Sequence, residues 1–331
     1  FAKDKGRKVR TDRRALDKLV SNLRGLPLQD ARKLARGAIY QDGAITESDI
    51  QAVNKAKFQL LDMDGVLSFE YDTESFAHVG GLLKLRDWLQ KREAAFLQRQ
   101  TDAPKGIMLV GVQGGGKSLA AKAVAGMWGL PLLRMDMGAL FNKYFGESER
   151  NVREALALAE TMSPCVLWID EIEKGIVADS NDGGTAKRVL GTLLTWMAER
   201  RQAVFVVATA NAIQHLPPEL IRKGRLDEIF FVDLPKPTIR EDIFAVHLEK
   251  RGYSADSFSL EVLAEESAGF TGAEIEQAIV AAGYTANARD EAISTAHIVG
   301  ELGNTVPLSI TMSERIDALR QWCKERAVPA D

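Results

Sequence analysis

Short apolar runs alternate with longer amphipathic segments through the middle of the chain. The runs cover residues 107–110, 132–135, 166–169, 204–208 and 229–232, and each has the length of a buried strand. The segments between them have the apolar spacing of helices. Strands that alternate with helices predict a parallel sheet with helices on both faces, so we expect an α/β fold with five parallel strands.

The two flanks of this region have helical periodicity only. Residues 13–60 predict three short helices, because the helical spacing is interrupted at 26–28 and again by the turn pair Asp42-Gly43. Five further helices are expected after Pro235-Lys236-Pro237, and they cover 238–250, 260–268, 272–289, 296–302 and 313–326.

These patterns divide the chain into three predicted domains. They are a small N-terminal helical unit (1–70), the α/β domain (71–235) and a C-terminal helical lid with a tail (236–331).

Composition narrows the class of protein. Of the 331 residues 46% are apolar and 27% charged, which is typical of a folded globular protein. No apolar run approaches the roughly 20 residues of a membrane span, so secretion and membrane insertion are not expected. The two cysteines, Cys165 and Cys323, form no CxxC pair and predict neither a disulfide nor a zinc site.

Charge gives little support for a nucleic-acid partner. The net charge is −3, although the first fourteen residues contain seven basic residues against two acidic ones. This basic segment is read as a solvated linker, because no nucleic-acid-binding motif accompanies it. The sequence begins with Phe1 and not with an initiator methionine, so we expect it to be part of a longer protein.

A glycine-rich string follows the first predicted strand and opens a helix. This context distinguishes a phosphate-binding loop from a chance glycine-rich turn, since backbone amides and a helix N-terminus attract a polyphosphate. Lys117 is expected to reach the terminal phosphates, and the Ser118 hydroxyl to bind magnesium. The candidate nucleotide-binding residues here are Gly111, Gln113, Gly114, Gly115, Gly116, Lys117, Ser118 and Leu119.

Polar residues end two later strands. Asp170 and Glu171 follow the run 166–169, so both carboxylates emerge at the edge of a parallel sheet where ligands bind. We expect Asp170 to hold magnesium and Glu171 to polarise the attacking water. Asn211, after the next strand, is expected to orient that water. Taken alone, the two acids could equally be solvated residues that cap a helix.

These motifs, together with the segment 216–227 downstream, resemble the ordered motifs of a known family. The stretch from about residue 76 to residue 283 resembles the ATPase module of the AAA family, whose members form rings. The flanks, especially 307–309 and 314–322, resemble a narrower bacterial family that is also encoded in algal plastid genomes. The N-terminal unit resembles the helical lid of a second, degenerate AAA domain whose nucleotide-binding part would precede Phe1.

The resemblance assigns roles that the spacing alone does not. Arg222 and Arg225 match the paired arginine fingers that reach a neighbouring subunit's site; otherwise they would be surface arginines. His247 matches a nucleotide-contacting histidine, which alone would be read as structural. The remaining matches to nucleotide-contacting positions are Val79 and Gly80, at the adenine, and Gly272 and Ala273, at the lid.

The segment containing Lys143, Tyr144 and Phe145 bears on the substrate. From periodicity alone the aromatic pair would be assigned to a core, whereas in related unfoldases the matching loop lines a central pore and grips a polypeptide. Residues 179–185 match a second pore-facing loop; otherwise they would be an ordinary surface loop.

The resemblance therefore implies a Mg²⁺-dependent ATPase. It uses ATP, forms a homo-oligomer expected to be a hexamer, and acts on a protein substrate or adaptor. The alternatives are a nucleotide-controlled switch or scaffold and, with the least support, a nucleic-acid remodeller. A cytoplasmic location is expected, or the plastid stroma for an algal protein.

Overall fold

The structure is a computed structural model of the 331-residue chain. It describes residues 10–11, 13–23, 26–60, 67–70, 73, 79–138, 148–175, 184–221 and 224–331. Among these ranges, no helix has both the length and the apolar content that crossing a bilayer requires.

The N-terminal unit contains the three helices that the periodicity predicts. Gly43, with φ of 74°, ends the second helix, and the Asp49 carboxylate accepts hydrogen bonds from the backbone N–H (2.7 Å) and hydroxyl (2.8 Å) of Thr46 at the start of the third. Two short strands pair in parallel beside the helices. The elements are β1 (Arg10–Thr11), α1 (Arg13–Asn22), α2 (Leu28–Asp42), β2 (Ala44–Ile45) and α3 (Glu47–Leu60).

The main sheet has seven strands among the described residues, so the predicted count of five is wrong. All five predicted strands are present and parallel, in the order β5-β6-β7-β4-β8, but one strand is added at each edge. The first, β3, runs antiparallel to β5, and the last, β9, runs parallel to β8. The strands are β3 (Leu67–Glu70), β4 (Gly106–Gly111), β5 (Leu132–Asp136), β6 (Cys165–Asp170), β7 (Val204–Ala210), β8 (Glu228–Val232) and β9 (Val328–Pro329).

Helices cover both faces of this sheet, as predicted. Alternate residues of β4 enter two separate cores: Met108 and Val110 one, and Ile107 and Leu109 the other. Burial on both faces explains why the strand reads as one continuous apolar run. The helices of this domain are α4 (Leu83–Leu97), α5 (Lys117–Trp128), α6 (Ser148–Thr161), α7 (Thr185–Glu199) and α8 (Pro218–Ile221), with short 3₁₀ turns at Ile172–Gly175 and Ile213–His215.

The lid has its own apolar core, which includes Phe244, Leu263 and Ile275. A capping box opens its third helix: Thr271 accepts the Glu274 N–H, and the Glu274 carboxylate accepts the Thr271 N–H. The C-terminal helices and turn are α9 (Pro237–Glu249), a 3₁₀ turn (Ala255–Ser257), α10 (Leu260–Glu266), α11 (Gly272–Ala288), α12 (Thr295–Gly303), α13 (Leu308–Thr311) and α14 (Ser313–Cys323).

Two segments pair outside their predicted domains. Residues 67–70, assigned above to the N-terminal unit, form β3 of the main sheet. Residues 328–329, assigned to the tail of the lid, form β9 of the same sheet. The three-domain division stays a prediction.

A buried lysine joins the N-terminal unit to the α/β domain. Lys57 of α3 is fully buried and donates to the carbonyl oxygens of Asn22 (2.9 Å) and Thr161 (2.8 Å). Burial lowers its pKa to about 8, although the neighbouring Cys165 opposes this shift. The contact places a positive group at the C-terminal end of α6.

Candidate active site

The glycine-rich loop leaves β4 through positions that only glycine fits. A Cβ added to Gly111 would lie 2.1 Å from the Val232 carbonyl oxygen of the neighbouring strand. Gly114 and Gly116 have φ of 76° and 94°, in the left-handed region that favours glycine. The loop therefore turns tightly from strand to helix, and its shape is specified by the sequence.

Lys117 begins the helix that follows this loop. The side chain is buried, and Nζ donates to the carbonyl oxygens of Gly111 (2.9 Å) and Val112 (2.7 Å). Burial lowers the pKa of Lys117 to about 8, although the charges of Glu173, Asp170 and Glu171 oppose this shift. The loop thus contains a desolvated cation beside a group of acids.

Asp170 is held on both carboxylate oxygens at the end of β6. The Thr209 hydroxyl donates to Oδ1 (2.8 Å), and the Arg134 guanidinium donates to Oδ2 (2.7 Å). Arg134 itself lies over the Trp168 ring, 4.7 Å from its centroid. These contacts fix the carboxylate at the carboxyl edge of the sheet.

Glu171 has a strained backbone and a fixed side chain. Its φ of 47° is rare for a residue with a side chain, and its N–H donates to the Thr209 hydroxyl (3.0 Å). Asn211 Nδ2 donates to Glu171 Oε1 (2.9 Å), and Oε2 forms an ion pair with Lys174. The structure therefore brings together the acid and the amide that the sequence predicts.

Glu173 is a further acid that the sequence analysis missed. It is 7% exposed, and its Oε1 accepts the backbone N–H of Asn211 (2.8 Å). Its Oε2 has no hydrogen-bond partner among the described residues. Burial raises the pKa of Glu173, and the nearby charge of Glu171 raises it further. The hydrogen bond from the Asn211 backbone opposes this rise. Glu173 thus supports the backbone of the residue that orients Glu171.

A cavity of about 600 Å³ lies between the loop, the acids and the lid. Of the predicted nucleotide, magnesium and catalytic residues, those that line it are Val79, Gly80, Gln113, Gly114, Gly115, Gly116, Lys117, Ser118, Leu119, Asp170, Glu171, Asn211, His247, Gly272 and Ala273.

Two predicted site residues within the described ranges, Gly111 and Arg225, do not line this cavity. Gly111 contributes only through its carbonyl group, which accepts the Lys117 ammonium. Arg225 lies before β8, and its guanidinium donates to the carbonyl oxygen of Glu219 in the same chain. The remaining predicted residues, Arg222, Lys143, Tyr144 and Phe145, lie outside the described residues, as does most of the second pore-loop candidate, 179–185.

The lid contributes a charged cluster beside His247. The Nδ1 atom of His247 lies 3.5 Å from Glu276 Oε1, and Arg251 donates to the same oxygen (2.9 Å). Glu276 lines the cavity but was not predicted. No short-range motif marks Glu276, Thr209 or Arg134, because each meets its partner only through the fold.

Two family models match the chain. Residues 107–234 match the "ATPase family associated with various cellular activities (AAA)", and residues 1–64 match the "SpoVK-like AAA ATPase, second domain". The first match covers β4 to the end of β8, and therefore the loop, the acids and Asn211.

Curated relatives extend the similarity over most of the chain. An uncharacterised AAA domain-containing protein, ycf46, of Guillardia theta is 44% identical over 315 residues, which are 93% of this chain and 62% of that protein. The proteasome-activating nucleotidase of Aeropyrum pernix is 36% identical over 62% of this chain and 51% of its own length. The chain thus spans about three fifths of the length of the first of these relatives.

The fold has a close counterpart among solved structures. The AAA domain of FIGL-1 in complex with ADP superposes with a TM-score of 0.68 at 21% sequence identity, over 82% of this chain and 97% of that domain. This likeness confirms the predicted P-loop α/β fold with a helical lid. Residues 107–234, which include the loop, the acids and Asn211, match the AAA ATPase family, as the motifs indicated.

Proposed function

We propose that this chain binds ATP with Mg²⁺ and hydrolyses it in a ring of identical subunits, with six expected. The ring is proposed to act in the cytoplasm and to use hydrolysis to remodel or thread a protein substrate. One observation carries the proposal: Asn211 Nδ2 holds Glu171 Oε1 at 2.9 Å on the wall of the cavity that Lys117 and Ser118 also line. An acid fixed beside a phosphate-binding loop is suited to orient and deprotonate an attacking water.

The residues of the cavity fit a nucleotide-borne magnesium ion. Mg²⁺ is usually held by one or two protein oxygens together with substrate phosphates and water. The Ser118 hydroxyl and the Asp170 carboxylate line the cavity, and Asp170 is fixed by Thr209 and Arg134. Bound there, the ion would neutralise charge on the phosphates.

Other residues of the chain are proposed to bind the base and the phosphates of the nucleotide. Val79, Gly80 and His247 are proposed to contact the nucleotide at the base and lid side, and the loop from Gly111 to Leu119 to hold its phosphates. Gly272 and Ala273 close the cavity from the lid, where the Ala273 N–H donates to the Gly114 carbonyl oxygen (3.3 Å). The lid thereby contacts the phosphate loop directly.

Arg222 and Arg225 are proposed to complete the site of a neighbouring subunit. Arg225 does not line the cavity of its own chain and is only half-buried. An arginine supplied by a neighbour stabilises charge that develops in phosphoryl transfer and contributes roughly a thousandfold or more to the rate.

Mixing two inactive variants tests this arrangement. Arg225→Ala and Glu171→Gln are each expected to lose roughly a thousandfold in turnover when assembled alone. Rings that contain both should regain activity, because an Arg225→Ala subunit keeps an intact site and its Glu171→Gln neighbour supplies the arginine. Phosphate release from mixed rings, verified by mass, measures this. Mixed rings as inactive as the pure ones would contradict action between subunits.

Nucleotide affinity is expected to fall as the pH rises above 8. Burial lowers the pKa of Lys117 to about 8, and a bound polyphosphate should raise it. Below pH 8 the lysine is charged in both states, whereas above pH 8 binding must take up a proton, and affinity should fall by up to about tenfold per pH unit.

Calorimetry in buffers of different ionisation enthalpy detects that proton. Uptake at pH 9 but not at pH 7 is expected for the unmodified chain and for Lys250→Met, which removes another lysine of the cavity. Affinity that stays constant from pH 7 to pH 9 would contradict the role of Lys117.

Threading is proposed from the resemblance of Lys143, Tyr144 and Phe145 to a pore loop. Tyr144→Ala should leave basal ATP turnover intact and reduce stimulation by casein, an unfolded protein used as the probe, because an aromatic gripping surface is lost. A core tyrosine would instead cost about 3–5 kcal/mol of stability on this change. Basal turnover, casein-stimulated turnover and thermal melting distinguish a pore tyrosine from a core tyrosine.

Tyr284→Ala is the matched control, since Tyr284 is an aromatic residue of the lid that is 72% exposed. This variant should change neither the basal nor the casein-stimulated rate of ATP turnover. Normal casein stimulation of Tyr144→Ala with an unchanged melting temperature would favour a nucleotide-controlled switch or scaffold over threading.

A further inference from the structure

The first turn of α4 takes its hydrogen-bond acceptors from the far end of the chain. The Ala330 carbonyl oxygen accepts the N–H groups of Lys84 (3.0 Å) and Leu85 (3.1 Å), and Asp331 Oδ1 accepts the N–H of Leu82. Leu82 stands at the N-cap and makes no side-chain cap hydrogen bond of its own. Because these N–H groups have no partner within the helix, residues 330 and 331 cap α4.

The tail that supplies this cap is fixed to the sheet. Its strand β9 pairs with β8, and the Ala330 N–H donates to the Phe231 carbonyl oxygen (2.9 Å). The Ala330 side chain is buried in the core below α4. Upstream, the guanidinium of Arg320 donates to both oxygens of Asp233 at 3.0–3.1 Å. The tail is therefore fixed up to Ala330, the residue before Asp331.

That position is next to the segment proposed to contact the base of the nucleotide. Gly81 has φ of 74°, and a Cβ added there would lie 2.6 Å from Asp331 Oδ1. The carboxylate thus packs directly on the backbone that follows Val79 and Gly80. Asp331 lines the same cavity as those two residues and Ile239 of the lid.

One oxygen of this carboxylate is available to a ligand. Oδ1 accepts the Leu82 N–H, whereas no donor of the described residues forms a hydrogen bond with Oδ2. An ionised carboxylate only accepts hydrogen bonds. At position 6 of the purine ring adenine presents an amino donor and guanine a carbonyl oxygen, so an acceptor that faces this position favours adenine over guanine.

We propose that Asp331 is a specificity-determining residue that accepts the exocyclic amino group of adenine and disfavours guanine. This rests on the proposed function, because it assumes that the cavity binds a nucleotide with its base at Val79 and Gly80. The C-terminal tail then has two roles: it caps α4 and builds the base end of the nucleotide cavity.

Asp331→Asn separates recognition of the base from the cap. The amide oxygen still accepts the Leu82 N–H, but the other oxygen becomes an amino group that donates. The ratio of ATP to GTP affinity is expected to fall roughly tenfold or more, since a matched hydrogen bond to a charged group is replaced by a mismatch. Affinity for inorganic tripolyphosphate, which has no base, should not change, and neither should the melting temperature of the empty protein.

Asp317→Asn is the matched control, because it removes the same charge from an exposed residue of α14 that does not line this cavity. It should keep the wild-type ratio. An ATP to GTP ratio unchanged in Asp331→Asn would overturn the assignment while leaving the phosphate site intact. A wild-type chain that binds neither ATP nor tripolyphosphate would overturn the proposed function, and this inference with it.

Discussion

Lys117→Ala is expected to abolish measurable ATP binding. Lys117 is a buried cation at the base of the phosphate loop, and three carboxylates, those of Glu173, Asp170 and Glu171, act on it. Without the ammonium, a bound triphosphate would face these acids with only backbone amides in compensation. Loss of a charge-assisted contact of about 3 kcal/mol lowers affinity on the order of a hundredfold, and the exposed acids add to this.

The same change should leave the fold intact. Burial of the lysine is costly, as its lowered pKa indicates, so its removal relieves an unfavourable term. ATP at a hundredfold excess over its Kd should stabilise the wild-type chain by about 2.7 kcal/mol and raise its melting temperature. Lys117→Ala should show no such rise, whereas Lys187→Ala, at an exposed residue of α7, should behave as wild type. A full rise in Lys117→Ala would contradict the assignment.

Glu171→Gln is expected to retain ATP binding and to lose turnover by about 10²–10⁴-fold. The glutamine amide oxygen still accepts the Asn211 hydrogen bond, so the geometry of the site is kept. The amide cannot accept a proton from water, and loss of a general base has an effect of this size. Binding of ATP and release of phosphate are measured on the same preparation.

Lys174→Met is the matched control for this variant. Glu171→Gln also breaks the ion pair with Lys174, which is more than half exposed and therefore contributes little. Lys174→Met breaks the same pair but leaves the acid, so it should keep most of the wild-type turnover. Wild-type turnover in Glu171→Gln would show that another group activates the water.

The five central strands were predictable because both of their faces are buried, which makes each a continuous apolar run. The two edge strands were not. Strand β9 is two residues long and includes Pro329, and its pairing depends on α14 returning the tail to β8. Strand β3 is four residues long with one face half-buried, so its short pattern did not stand out from the linker.

Site residues also differ in whether the local sequence predicts them. The loop and the acids are contiguous in sequence, so the residue types and their order predict their chemistry. Arg134 meets Asp170 only because β5 and β6 are neighbours in register, and Glu173 meets Asn211 only where β6 and β7 end together. Asp331 reaches the cavity from the far end of the chain. Such partners are set by tertiary structure, which local pattern does not contain.

Phosphate release from ATP and Mg²⁺ by the unmodified chain, with Lys117→Ala as the background, tests whether the cavity lined by Lys117, Asp170 and Glu171 hydrolyses ATP. Single-turnover conditions at high protein concentration favour contacts between subunits and remove any limit from product release. We expect conversion of bound ATP to ADP and phosphate well above the Lys117→Ala rate. Bound ATP that is converted no faster than in Lys117→Ala would contradict hydrolysis at this site.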